Sequence, residues 1–121
     1  MKRQKIEGLT PKRRFRTVFT EDVMIFLSNQ DIKARQKILA NIRKAEVVTD
    51  QELFKKLTED IWEFRTLWNR QRFRLLAFWD KDDGAVVVVS HGFVKKTSKV
   101  PLRELEKAIR VRNEYLMLKN K

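Results

Sequence analysis

Residues 61–97 read IWEFRTLWNRQRFRLLAFWDKDDGAVVVVSHGFVKKT. Over Trp62–Arg65 and Gln71–Phe78, apolar residues alternate with arginine. Period two is the signature of a strand with one packed face and one wet face. Phe73, Leu75, Ala77 and Trp79 form one row, with Arg72 and Arg74 opposite; Trp62, Phe64 and Trp68 oppose Glu63, Arg65 and Leu67. Asn69–Arg70 suits a tight turn. Asp82–Asp83–Gly84 is a hairpin signal, because Asp-Gly tolerates the positive φ angles of a type I′ turn. Ala85–Val89 then begins a buried third strand that runs to about Phe93. Short turns at both ends make the three an antiparallel meander.

Upstream, Arg14–Thr20 alternates and reads as a half-buried first strand. Thr20 and Asp31 are each placed to cap a helix. Val23, Met24, Phe26 and Leu27 mark the apolar face of the first; Ala34, Ile38, Leu39, Ile42 and Ala45 mark that of the second. These two helices form a hairpin whose stripe packs on the sheet. Gln51–Leu57 fits a helical turn or an extended connection. Downstream, Pro101 suits a first helical position, and Leu102, Leu105, Ile109 and Leu116 give a stripe that Arg112 interrupts. The expectation is an α+β domain, β-α-α-β-β-β-α, with a small, mainly antiparallel sheet, the hairpin on one face and a C-terminal helix. Residues 1–12 form a basic arm, punctuated by Gly8 and Pro11. Residues 13–121 form the single domain.

The chain has 121 residues, a net charge of +12 and 42% hydrophobic content, enough for one packed core rather than disorder. The charge concentrates at the two ends and on the arginine strands, which points to a polyanion, foremost RNA. No apolar run approaches the roughly 20 residues that span a bilayer. No apolar stretch follows the charged N-terminus, so a secretory signal is not read and the cytoplasm is the simplest location. Cysteine is absent and histidine occurs once. That removes disulfides, a thiolate nucleophile and Cys- or His-based metal clusters. Neither a metal nor a cofactor is expected.

The chemistry-bearing residues converge on the strand ends. Arg65, Arg72 and Arg74 share a face, with Glu63 as the nearest carboxylate, and Lys95, Lys96 and Lys99 follow the third strand. His91 has two readings. A neutral imidazole takes a proton from a ribose 2′-hydroxyl, whereas a lone histidine at a strand end is often a hydrogen-bonded structural residue. A lysine whose pKa is lowered by neighbouring cations is a candidate proton donor. Trp79 and Phe93 are the aromatics best placed to stack on bases.

KKL at 55–57, IWEFR at 61–65, RFRLLAF at 72–78 and HGFVKKTSKVPLRELEKA at 91–108 resemble the RelE/HigB superfamily of type II toxins, especially its phage-derived HigB-like branch. The resemblance implies a metal-independent endoribonuclease, an mRNA interferase that enters the A site of the 70S ribosome and inhibits translation. A cognate antitoxin, often a helix-turn-helix protein, would hold it. Carried over by position, Arg65, Arg74, His91, Lys95 and Lys96 are the catalytic candidates. Arg14, Arg16, Arg72, Phe93, Lys99 and Arg103 are the RNA-binding ones. Two departures stand out: Phe73 occupies a position where the branch often has tyrosine, and the only tyrosine, Tyr115, is in the last helix. Two alternatives follow: a ParE-type toxin acting on DNA gyrase without nuclease activity, and an RNA-binding accessory protein.

Overall fold

A computed structural model describes residues 12–120. Apart from exposed Lys12, the expected basic arm lies outside them. The elements are β1 (Arg16–Phe19), α1 (Glu21–Ser28), α2 (Ile32–Ala45), β2 (Phe54–Lys56), β3 (Trp62–Trp68), β4 (Gln71–Asp80), β5 (Val86–Lys95) and α3 (Leu102–Lys119). The α+β class and the expected element order hold, with one added strand. Phe54–Lys56 pairs antiparallel with Trp62–Phe64, which resolves the ambiguous segment as an edge strand. The sheet runs β1-β5-β4-β3-β2. It is antiparallel except where β1 pairs parallel with β5.

Both expected caps form. Thr20 Oγ1 accepts from Val23 N at 3.3 Å, and Asp31 Oδ1 accepts from Ala34 N at 2.9 Å. The hairpin α1–α2 buries Val23, Leu27, Ala34, Ile38 and Ile42 against Phe64, Phe73, Leu75 and Ala77, the inward row read from the sequence. Buried Glu46, just after α2, ties that helix to β1 by accepting from Thr17 N at 3.0 Å and from Thr17 Oγ1 at 3.1 Å. Gly92 lets this layer close. A Cβ there would sit 2.5 Å from Cδ2 of Phe26, on α1. A stiff ring cannot yield that much without repacking, so Gly92→Ala is expected to cost about 1–3 kcal/mol, measured by denaturant unfolding.

The opposite face is divided. Half of it, Ile61, Leu76, Phe78, Val86 and Val88, lies under α3. The other half carries the arginines. The helix meets the sheet through Leu105, as expected, and through Ala108, Val111 and Tyr115, which lie outside the expected stripe. Leu102 and Ile109 are exposed, and Arg112 reaches Asp60 at 3.5 Å rather than breaking the packing. Ala108 is fully buried, and its small side chain lets the helix sit close.

The turns differ from expectation in one place. Asn69 (φ 51°) and Arg70 (φ 63°) make the tight β3–β4 turn with two left-handed residues. Gly84 does not adopt a left-handed φ. The β4–β5 connection is a longer loop organised by Asp80, whose Oδ1 accepts from Asp82 N at 3.0 Å and Asp83 N at 3.1 Å. Trp79, expected to be free for stacking, instead packs edge-on against Phe15 at 5.2 Å in the core.

Candidate nucleic-acid interface

Register assembles the cations. Arg65 of β3 faces Arg74 of β4, and Arg72 of β4 faces Lys95 of β5. Like charges directly opposite each other destabilise a sheet, yet here two such pairs adjoin. One buried carboxylate serves them. Glu63 Oε1 lies 3.4 Å from Arg65 Nε, and Glu63 Oε2 lies 3.6 Å from Arg74 Nε. Glu63 therefore engages both guanidiniums. Neither contact is a hydrogen bond, so Glu63 Oε2 and both Nε atoms are buried without one. Arg74 is 5% exposed, and its Nη1 donates to Phe73 O at 3.0 Å. Burial pushes the Arg74 pKa down, Glu63 pulls it up, and Arg65 and Arg72 push it down again. Burial likewise lowers the Lys95 pKa, with Arg74 the next cause. This is an electropositive patch built around one buried carboxylate.

Lys96 and Lys99 are exposed in the loop after β5, and Arg103 is exposed on the first turn of α3. Half-buried Phe93 faces Arg74 across the β4–β5 pair and stacks on His91, with ring centroids 6.1 Å apart. Of these residues, Phe93 lies beside Arg74 and Lys96 lines a cleft with Arg72 and Lys95. Arg14 and Arg16 do not join it. Arg16 is opposite Val86, nine residues along β5 from Lys95, on the order of 30 Å at strand rise. It pairs with Asp83 at 3.7 Å, and Arg14 Nη2 donates to Ala45 O at 2.8 Å.

His91 shares the face but lies beneath α3, 3% exposed. Its Nδ1 is 2.9 Å from Ser90 Oγ, and its Nε2 is 3.2 Å from Glu104 Oε1. A carboxylate only accepts, so Nε2 carries the proton and Ser90 donates to Nδ1. The chain Ser90–His91–Glu104 has the residue types of a nucleophilic triad, but Ser90 is wholly buried and no substrate atom reaches it. Burial pushes the His91 pKa down, Lys107 adds to this, and Glu104 partly offsets it. The folded pKa is thus below the unfolded one of about 6.5. The associated stability is present above about pH 6.5 and is lost as pH falls through the folded value. His91→Gln is expected to flatten that part of the profile, checked by denaturant unfolding from about pH 7.5 to 5.

Among the described residues, no group of His, Asp and Glu is arranged to hold a metal, and no helix is long and apolar enough to cross a membrane. The residues missed by sequence reasoning are Lys37, Asn41 and Lys44 of α2, which line a cleft of about 460 Å³ with Arg65, Arg72 and Arg74. Their i, i+4, i+7 spacing was visible as a helix face, but its position beside the arginines is a product of packing.

A family model described as phage-derived protein Gp49-like matches residues 25–113, which include every member of the patch. No curated protein matches the chain.

Proposed function

This chain belongs to the Gp49-like family of phage-derived proteins, and from that premise we propose that it is the toxin of a type II toxin–antitoxin pair and cuts mRNA. The observation that carries this reading is the double like-charge register, Arg65 with Arg74 and Arg72 with Lys95. A sheet tolerates that arrangement where a polyanion completes it. In the reaction a ribose 2′-oxygen attacks the adjacent phosphorus and the bond to the 5′-oxygen breaks. The products are a 2′,3′-cyclic phosphate and a 5′-hydroxyl end. Negative charge grows on the non-bridging oxygens, where Arg65 and Arg74 stabilise it. Lys95, with its lowered pKa, gives a proton to the departing oxygen. The 2′ proton leaves through water. Arg72, Lys96, Lys99 and Arg103 hold flanking phosphates, and Phe93 borders a base. His91 acts by keeping α3 and Glu104 in place. Cytoplasmic mRNA on the 70S ribosome is the substrate, and a helix-turn-helix antitoxin is the partner.

A second reading, RNA binding without cleavage, is favoured by the engagement of both His91 nitrogens. The test is 5′-end mapping of cellular mRNA minutes after the chain is induced without an antitoxin. New ends within translated codons support the interferase. Growth arrest with intact mRNA favours the binding reading, and DNA-damage signalling alongside it points to gyrase.

A further inference from the structure

Two clefts meet at Arg72. The first holds about 460 Å³ between α2 and β3–β4. The second, about 440 Å³, is lined by Arg70, Gln71, Arg72, Val94, Lys95 and Lys96. Each has the size of a small-ligand site. The first exists because β2 is short: its ladder with β3 ends at Phe64 and a last backbone bond joins Arg65 N to Leu53 O at 2.9 Å, so Thr66–Trp68 form an open edge. Asn41 Nδ2 donates to Thr66 Oγ1 at 3.1 Å and anchors α2 beside that edge. Lys37 and Lys44 flank Asn41 on the same helix face. Among the described residues neither lysine has a carboxylate partner. The cleft's one carboxylate, Glu52, is 86% exposed and 4.0 Å from Arg65. Leu67, 67% exposed, lies opposite Arg72 where the clefts join.

We propose that Lys37 and Lys44 form a second phosphate-binding subsite, continuous with the Arg72–Lys95 cleft, and that one single-stranded RNA segment occupies both. Leu67 gives a nucleobase an apolar seat between the two. The inference deepens the RNA reading above and rests on it for the choice of polyanion. A single strand fits because its backbone turns around the sheet edge and its bases splay, whereas a duplex is too stiff to follow.

The test is fluorescence anisotropy with a 2′-O-methyl octanucleotide, which cannot be cleaved, on the full chain. Lys37→Ala/Lys44→Ala is expected to weaken binding about 10-fold and to reduce the salt slope by about 1.4, two phosphates at about 0.7 each. Both lysines are exposed helix positions, so alanine preserves the fold. Leu67→Ser is expected to weaken binding about 3-fold with an unchanged salt slope, because an apolar contact releases no counterions. Unchanged affinity and slope in the double-lysine variant, equal binding of a duplex of the same sequence, or no binding by the wild type would each overturn the proposal. A wild type that binds the octanucleotide as expected but generates no new mRNA ends supports the subsite and removes the nuclease reading.

Discussion

Arg74→Ala is expected to lower RNA cleavage by about 10²–10³-fold, the cost of removing one preorganised donor from a developing oxyanion. Arg74 is held from three sides: Nη1 donates to its neighbour's carbonyl, Nε faces Glu63, and the backbone pairs it with Arg65 and Phe93. That leaves little freedom for the guanidinium, so its remaining N–H groups meet a phosphate without reorganisation. Arg74→Lys keeps the charge but loses the planar fork and is expected to recover only part of the rate. Cleavage is read by primer extension, with circular dichroism confirming the fold. Glu63 retains Arg65 as a partner in the variant, so the buried carboxylate is not left alone. Arg74→Ala that stays folded and cuts at the wild-type rate would remove Arg74 from the reaction.

Asp80→Ala is expected to destabilise the domain by roughly 2–3 kcal/mol, through donors left without their acceptor, and to lower Tm by about 10 °C. Asp80 is 2% exposed at the end of β4. Tyr115 donates to its Oδ2 at 2.5 Å and Lys119 pairs with the same oxygen, while Asp82 N and Asp83 N occupy Oδ1. One carboxylate thus fastens the last turns of α3 to the β4–β5 loop. Chiefly through Lys119, then Tyr115, the Asp80 pKa is lowered to about 2 from 3.8. A depressed folded pKa means that this stability is complete above about pH 4 and is lost as pH falls through about 2. Asp80→Asn removes that acid-sensitive component. Thermal melts at neutral pH and at about pH 3 separate the two effects. An unchanged Tm for Asp80→Ala would show that α3 is held by its apolar contacts alone.

The sequence carried much of this structure openly. Alternation across residues 62–79 placed Phe73, Leu75 and Ala77 inward because a pleated strand leaves no other choice. Thr20 and Asp31 capped as expected because their oxygens reach free amides locally. Failures came where a distant partner intervened. Of the expected α3 stripe, Leu105 packs on the sheet but Leu102 and Ile109 face solvent, and Arg112 pairs with Asp60 instead of breaking the packing. Gly84 looked like a hairpin residue, but the Asp80 side chain organised the loop first.

The candidate site divides along the same line. Its residue types, its basic character and the shared face of Arg72 and Arg74 are properties of one chain segment, set by composition and period. Tertiary structure alone decided which cations face each other, that Glu63 lies between two of them, that α3 closes over His91 and that α2 brings Lys37 and Lys44 to an open strand edge. Register and layer packing join residues far apart in the chain, and no local pattern encodes the distance between them.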